Sequence, residues 1–274
     1  MTSTRVRALV DACHPGPTAT VTVVVTALAA AAGRDRAGLV LVAAATLTGQ
    51  LSVGWCNDAY DAGRDRLAAR EAKPTVRGDV TAAVLWRASA VAVAATVVLS
   101  YLAAGPVGGS AHLLAVASAW TYNLQLKTNV LSPLPYAVSF GLVPAFVTYG
   151  LTPPSPPAAW LVVACALLGV GAHLANAIPD IESDERVGAG GLVAAIGVRA
   201  ASVSSLACLV AAVALLAAQL AVAPWVAVGL VLVAATGAVV VAVRGEGQAL
   251  FRYVMALAVV AVLLLVLAAG SLTA

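Results

Sequence analysis

Long apolar runs, separated by short breaks rich in charged residues, glycine or proline, are the dominant pattern along this chain. A helix needs roughly 20 apolar residues to cross the hydrocarbon layer of a bilayer, and each run is close to that length. The pattern therefore predicts an all-α membrane bundle of nine transmembrane helices, forming a single domain over residues 1–274. The nine predicted spans are residues 17–33, 38–57, 82–103, 107–124, 131–151, 158–178, 199–222, 224–243 and 249–270.

The composition agrees with a membrane protein and narrows the functional classes. Of the 274 residues, 62% are hydrophobic and only 10% are charged, whereas soluble domains have roughly 25% charged residues. The net charge of +3 gives no support for nucleic-acid binding. Arg5 and Arg7 precede an apolar run as in a signal peptide, but His14, Pro15 and Pro17 interrupt it. That run is therefore interpreted as the first span.

The basic residues predict the orientation, because positively charged loops are retained on the cytoplasmic side. With a cytoplasmic N-terminus, only Arg34 and Arg36 lie outside. The thirteen that lie inside are Arg5, Arg7, Arg64, Arg66, Arg70, Lys73, Arg77, Arg87, Lys127, Arg186, Arg199, Arg244 and Arg252. This asymmetry predicts an integral protein of the cell membrane whose two long links, 58–81 and 179–198, face the cytoplasm.

Acidic residues are concentrated in the same two links, which points to polar chemistry at the cytoplasmic helix ends. Nine of the twelve acids lie there: Asp58, Asp61, Asp65, Glu71, Asp79, Asp180, Glu182, Asp184 and Glu185. The four cysteines are isolated in the sequence, so neither a zinc site nor a disulfide framework is indicated.

The first acidic cluster follows the second span and has helical spacing. Asp58, Asp61 and Asp65 stand at i, i+3 and i+7, and Asn57 stands four residues before Asp61. On a continuous helix these positions share one face. Carboxylates placed in this way repel one another unless a cation lies between them.

The second acidic cluster ends the sixth span. Asn176, Asp180 and Asp184 follow each other at i+4 steps, so a helix would place them on one face. Two acidic faces at the ends of two helices can meet at one polar opening. Ligand sets made only of oxygen favour hard cations, and Mg²⁺ typically combines a few carboxylates with water and phosphate oxygens.

Basic residues near the clusters complete the pattern of a metal-diphosphate site. Five of them, Arg64, Arg66, Arg70, Lys73 and Arg77, follow the first cluster, and Lys127 lies on another inner link. Arginine and lysine hold phosphate oxygens by charge-assisted hydrogen bonds.

On these motifs the sequence resembles the UbiA superfamily of intramembrane prenyltransferases. The family pattern Asn-Asp-x-x-Asp-x-x-x-Asp is met by Asn57, Asp58, Asp61 and Asp65, and the pattern Asp-x-x-x-Asp is met by Asp180 and Asp184. The resemblance implies that Asn57, Asp61, Asp180 and Asp184 bind Mg²⁺ and that Asp58 and Asp65 support them, all five aspartates being catalytic residues.

Two further elements carry the resemblance. Lys73-Pro74, with Gly78 after it, is similar to a family element that usually has Arg before Pro, and Tyr122 with Lys127 is similar to a Tyr and basic pair between the fourth and fifth spans. The implied diphosphate-binding residues are Asn57, Lys73, Arg77, Tyr122, Lys127 and Asn176. The implied activity is ionisation of an isoprenyl diphosphate and transfer of the prenyl group to a hydrophobic, aromatic or lipid acceptor.

Aromatic side chains are candidates for stabilising an allylic cation in a dry pocket. The candidates in the neighbouring spans are Trp120, Tyr136, Phe140, Phe146 and Tyr149. Of the three histidines, only His173 is expected near the site, where a structural hydrogen bond is favoured over catalysis.

Three alternative functions stay open. A UbiA-type terpene cyclase would use the same ionisation site without an acceptor, and phosphoribosyl transfer also occurs in the superfamily. A membrane transporter that binds ions belongs to a different class, but it would place acids at mid-bilayer rather than at helix ends.

Overall fold

The described part of the chain is built from helices. The computed structural model describes residues 2–179, 181, 190–220, 224–244 and 247–267. Its α-helices are α1 (Thr2–Ala12), α2 (Pro15–Ala31), α3 (Arg36–Leu67), α4 (Pro74–Arg77), α5 (Ala82–Thr121), α6 (Pro133–Gly141), α7 (Val143–Thr148), α8 (Ala159–Ala177), α9 (Leu192–Ala217), α10 (Pro224–Arg244) and α11 (Gly247–Leu267), with a π-helical turn at Tyr122–Leu126.

The helices confirm the predicted all-α membrane fold. The nine spans fall on α2, α3, the two halves of α5, α6 with α7, α8, α9, α10 and α11. Within the described residues, four helical stretches are long and apolar enough to cross a membrane by themselves: Arg36–Leu67, Ala82–Leu126, Ala159–Ala177 and Leu192–Ala217. The chain is therefore an integral membrane protein.

Helix α5 contains two spans because it reverses direction near its middle. Ala104 and Gly105 leave the helical conformation, with φ of 63° at Gly105, and Pro106 follows. The Ser100 hydroxyl lies 2.7 Å from Nδ1 of His112, whereas twelve residues of straight helix would separate them by about 18 Å. The predicted break at 104–106 is thus confirmed as the turn of a helical hairpin.

The fifth span differs from its prediction, since 131–151 is not one helix. It is divided into α6 and α7 at Leu142. Pro144 has no N–H to donate to the preceding turn, and its ring would clash with a continuing helix. The amphipathic helix α1, which precedes all predicted spans, was not predicted either.

Short polar side chains join α3 to α5. Ser89 donates to the backbone oxygen of Ser52 at 2.7 Å, and Thr96 donates to the hydroxyl of Thr48 at 3.1 Å. Small and hydroxyl-bearing residues allow close helix packing where lipid offers no hydrophobic driving force. This contact fixes the rotation of α3 and so decides which residues its far end presents to the interior.

Candidate functional site

Three aspartates form a buried acidic face at the C-terminal end of α3. Asp58, Asp61 and Asp65 are 0%, 4% and 1% exposed, and α3 continues unbroken through all of them. Burying a carboxylate costs several kcal/mol unless it is paired. In the structure each aspartate has its own basic partner. These partners offset the repulsion between the three carboxylates that the sequence predicts.

Asp58 is held by two basic side chains from different parts of the chain. Nζ of Lys73 lies 2.6 Å and Nε2 of His14 lies 2.9 Å from Oδ1 of Asp58. Lys73 directly precedes α4 and its first-turn Pro74. Burial alone would raise the pKa of the Asp58 carboxyl, but the His14 hydrogen bond and the Lys73 charge hold that pKa below its ordinary value.

Asp61 and Asn57 share the ammonium of Lys127. Its Nζ contacts Oδ2 of Asp61 and lies 3.2 Å from Oδ1 of Asn57. The preceding π-helical turn ends with a bond from Lys127 N to Tyr122 O of 2.8 Å, and such turns are frequent at functional sites. Asn123 within this turn donates to the Val53 carbonyl on α3 at 3.0 Å, which fixes Lys127 against the acidic face.

Asp65 pairs more loosely, with Arg70 at 3.4 Å, and burial raises the pKa of its carboxyl. One oxygen of each aspartate, Oδ2 of Asp58, Oδ1 of Asp61 and Oδ2 of Asp65, is buried and has no hydrogen-bond partner among the residues that the structure describes. Arg64 approaches the free oxygen of Asp61 only to 3.6 Å. The acidic face thus retains unused acceptor capacity.

A cavity of about 390 Å³ lies beside the acidic face. Among the diphosphate-binding residues expected from the sequence, four line it: Asn57, Tyr122, Lys127 and Asn176. Its other walls come mainly from α2, α6, α8 and the start of α9. The structure therefore brings together one predicted residue from α3, two from the π-helical region and one from the end of α8.

Lys73 and Arg77, also expected to bind diphosphate, do not line this cavity. Lys73 points at Asp58. Arg77 lies on the surface, where it pairs with Asp79 at 2.6 Å and with Asp11 at 3.5 Å. Their diphosphate role stays a prediction from the sequence.

Asp180 and Asp184, predicted as metal ligands and catalytic residues, lie outside the described residues. Asn176 and Ile181, near Asp180 in sequence, line the cavity. Within the described ranges, no three histidine, cysteine, aspartate or glutamate side chains are grouped so as to hold a metal ion. However, the Asn57 and Asp61 oxygens already converge on one cation, the Lys127 ammonium, and oxygen ligands suit Mg²⁺. The described residues therefore fit one part of a Mg²⁺ site.

Two of the five aromatic candidates line the cavity, and the other three do not. Tyr136 and Phe140 line the cavity with Tyr122 and His173, and the Tyr136 ring lies 4.6 Å from that of His173 and 5.0 Å from that of Tyr122. The three others lie elsewhere: Trp120 pairs with Trp86, Phe146 stacks on His112, and Tyr149 packs against Gly108. His173 bonds the Ser132 hydroxyl at 3.0 Å, the structural hydrogen bond that was expected.

His14 is a site residue that sequence reasoning missed. The structure contradicts the expectation that only His173 lies near the site, since His14 also lines the cavity. The Trp55 indole donates to Leu9 O at 2.8 Å, and a Cβ at Gly54 would meet Cys13 O at 2.6 Å. These contacts bring the α1–α2 connection onto α3. No residue spacing in the sequence predicts this contact between the α1–α2 connection and α3.

Gln50 was also missed, although the sequence contains a signal for it. Gln50 lines the cavity and stands seven residues before Asn57, which is two helical turns and about 10 Å along α3. Its carboxamide makes no hydrogen bond to any described residue. The signal is a single amide side chain within an apolar run, seven residues before the first residue of the motif. This signal would have been sufficient to select Gln50.

A family model provides the first comparison with known proteins. Residues 19–260 match the model of the UbiA prenyltransferase family. No curated protein sequence matches this chain.

Solved structures share this fold at low sequence identity. A UbiA homologue from Archaeoglobus fulgidus bound to GPP and Mg²⁺ has a TM-score of 0.70 and 15% identity, covering 95% of this chain and 99% of that chain. An apo UbiA homologue from Aeropyrum pernix K1 has a TM-score of 0.65 and 23% identity, covering 88% and 95%. A digeranylgeranylglyceryl phosphate synthase has a TM-score of 0.70 and 14% identity, covering 97% and 98%.

Proposed function

Since the chain belongs to the UbiA prenyltransferase family, we propose that it is a Mg²⁺-dependent intramembrane prenyltransferase acting on an isoprenyl diphosphate. It transfers the prenyl group to an aromatic or lipid acceptor, and residues 1–274 act as one domain. The observation that carries this proposal is the meeting of Asn57, Asp61 and Lys127 at one edge of a cavity that continues between apolar helices.

Asn57 and Asp61, together with Asp180 and Asp184, would hold Mg²⁺. The metal supplies charge neutralisation to the departing diphosphate. Lys127, Tyr122 and Asn176 bind diphosphate oxygens from the cavity side, and Lys73 and Arg77 remain candidates by sequence. Asp58 and Asp65 support the site by fixing Lys73 and Arg70 against α3. Likeness to a structure that contains GPP and Mg²⁺ agrees with this assignment.

The remainder of the cavity suits an isoprenoid tail and an allylic cation. Aliphatic residues from α2 and α3, such as Val21 and Val53, line the cavity together with the rings of Tyr136 and Phe140. Aromatic faces stabilise a nearby cation, and apolar walls exclude the water that would capture it. The chain itself therefore provides binding, shielding and electrostatic support for ionisation.

Gln50 favours an acceptor over cyclisation without one. Three other polar side chains of the wall donate to backbone carbonyls: Thr18 to Cys13 O, Asn123 to Val53 O and Ser139 to Ala115 O. The half-buried Gln50 carboxamide, which bonds to none of the described residues, can hydrogen-bond an uncharged oxygen of a second substrate. Covering this amide with an isoprenoid tail alone would be costly. The cyclase is the second candidate, because it shares the ionisation site.

The product class tests this proposal. Purified protein in detergent, stripped of lipid, is incubated with Mg²⁺ and geranyl, farnesyl or geranylgeranyl diphosphate, with and without added lipid extract. We expect a prenylated product only when the extract is present, as detected by mass spectrometry. A cyclic hydrocarbon or terpene alcohol formed at full rate without the extract would instead establish the cyclase, and no consumption of any diphosphate would refute both.

Orientation is a second prediction. The thirteen-to-two distribution of basic residues predicts that the acidic links lie in the cytoplasm. Single cysteines introduced at Ala68 and Gly188, in a variant lacking the four native cysteines, are expected to react with an impermeant maleimide only in inside-out vesicles. Reaction in right-side-out vesicles at either position would reverse the assigned topology.

A further inference from the structure

Among the lysines and arginines that the structure describes, Lys127 is the one that contacts the acidic face and also lines the cavity. His14 reaches both as well, but its contact is with Asp58. Lys73 pairs with Asp58, Arg70 with Asp65 and Arg64 with Asp61. None of these three basic side chains lines the cavity, whereas Lys127 does. Its ammonium contacts Oδ2 of Asp61 and lies 3.2 Å from Oδ1 of Asn57. We call the space between these two oxygens the cation position.

The cation position belongs to two of the residues assigned to Mg²⁺. A metal ion that binds Asn57 and Asp61 must therefore displace the Lys127 ammonium. The released ammonium would remain close to a dication, and like charges disfavour one another. In the absence of an anion in the cavity, metal binding therefore breaks the ion pair between Lys127 and Asp61. It also leaves the Lys127 ammonium close to the metal ion, and the two cations repel each other.

A diphosphate in the cavity removes both costs. Lysine carries its charge on a flexible four-carbon stem with rotatable donors, so the ammonium can move to a phosphate oxygen without backbone movement. Charge-assisted hydrogen bonds to phosphate are strong. The diphosphate therefore stabilises the displaced lysine and the incoming metal together.

On these contacts we propose that Lys127 is an internal substitute cation that makes metal binding conditional on the diphosphate. Without substrate it occupies the cation position and neutralises the buried Asp61. When the diphosphate binds, Lys127 exchanges its Asn57 and Asp61 contacts for phosphate oxygens, and the metal takes the vacated position. This inference rests on the proposed function and adds a coupling between the two ligands.

The coupling has a thermodynamic consequence that can be measured without turnover. If the diphosphate raises metal affinity by some factor, the metal must raise diphosphate affinity by the same factor. Removing the Lys127 charge should strengthen metal binding alone and weaken its dependence on the diphosphate. A lysine that only binds phosphate would leave metal binding alone unchanged.

The experiment is a titration of the detergent-solubilised full chain with Mn²⁺, with free Mn²⁺ measured by electron paramagnetic resonance. Each titration is run with and without inorganic diphosphate, and protein-free titrations correct for the metal-diphosphate complex in solution. For the wild type we expect diphosphate to lower the Mn²⁺ Kd by at least about tenfold, a typical coupling factor. For Lys127→Met we expect Mn²⁺ alone to bind about tenfold more tightly than to the wild type.

Arg64→Met is the matched control, because it removes one positive charge near the same carboxylate without vacating the cation position. In the wild type, Nη1 of Arg64 lies 3.6 Å from Oδ1 of Asp61, and the Arg64 side chain is 41% exposed. We expect its Mn²⁺ Kd to stay within about threefold of wild type, as for a screened surface charge. If Lys127→Met does not fold, Lys127→Gln is expected to change Mn²⁺ affinity in the same direction.

The outcomes separate the inference from the proposed function. Equal or weaker binding of Mn²⁺ alone by the foldable Lys127 variant would overturn the substitute-cation role while leaving the metal-diphosphate site intact. An equal gain in Arg64→Met would overturn it as well, since the effect would then be one of general charge. A wild type that binds no Mn²⁺ even with diphosphate would refute the proposed function itself.

Discussion

Replacing Asp61 by alanine is expected to lower turnover by roughly three powers of ten, equivalent to about 4 kcal/mol of lost transition-state stabilisation. Asp61 contributes a buried carboxylate to the cation position beside the cavity. Without it, Lys127 loses a charged partner, and the proposed Mg²⁺ would lose one as well. Asp184→Ala, at the second motif, is expected to have an effect of similar size. The measurement is single-turnover consumption of the prenyl diphosphate that the wild type uses.

Asp79→Ala is the control for the loss of a carboxylate near the same end of the bundle. Asp79 pairs with Arg77 on the surface, so its removal should change turnover by less than about threefold. Size-exclusion profiles and far-ultraviolet circular dichroism must match between the variants. An Asp61→Ala protein that is folded and retains more than about a tenth of wild-type turnover would have no metal-ligand role.

Lys73→Met is expected to destabilise the fold by about 3 kcal/mol, because it leaves the Asp58 carboxylate buried without its closest basic partner. Lys73 lies 2.6 Å from this carboxylate, and the two side chains are 21% and 1% exposed. His14 still reaches Asp58, which keeps the expected cost at the lower end of the range for a broken buried pair. The measurement is the free energy of unfolding in mixed micelles by denaturant titration.

Two further variants separate ion pairing from loss of packing. The double variant Lys73→Met with Asp58→Asn should recover most of the lost stability, because a neutral amide costs far less to bury than an unpaired carboxylate. Arg77→Met removes a cation at the other end of α4, where Arg77 forms an exposed pair with Asp79, and it should cost no more than about 1 kcal/mol. Equal losses in Lys73→Met and Arg77→Met would show that the Asp58 pair does not stabilise the fold.

The sequence by itself determined the membrane architecture and the helix that carries the acidic face. Apolar run length and helical spacing are local properties, so the spans, the hairpin break before Pro106 and the shared face of Asp58, Asp61 and Asp65 could be derived without a structure. One local prediction was nevertheless wrong: the fifth span was expected to be one helix, but it is divided near Pro144. The metal and diphosphate roles came from motif resemblance, which identifies residues but not their partners.

Only the tertiary structure decided which cation neutralises which carboxylate and which side chains reach the cavity. Lys127 meets Asp61 across 66 residues of chain, and His14 meets Asp58 across 44. Trp120 and Tyr136 were equal candidates by sequence, but the cavity is lined by Tyr136 alone of the two. Such contacts depend on how α3 is rotated against α5 and on where the α1–α2 connection lies on α3. Packing between distant segments sets both, and no local pattern of apolar and polar residues encodes them.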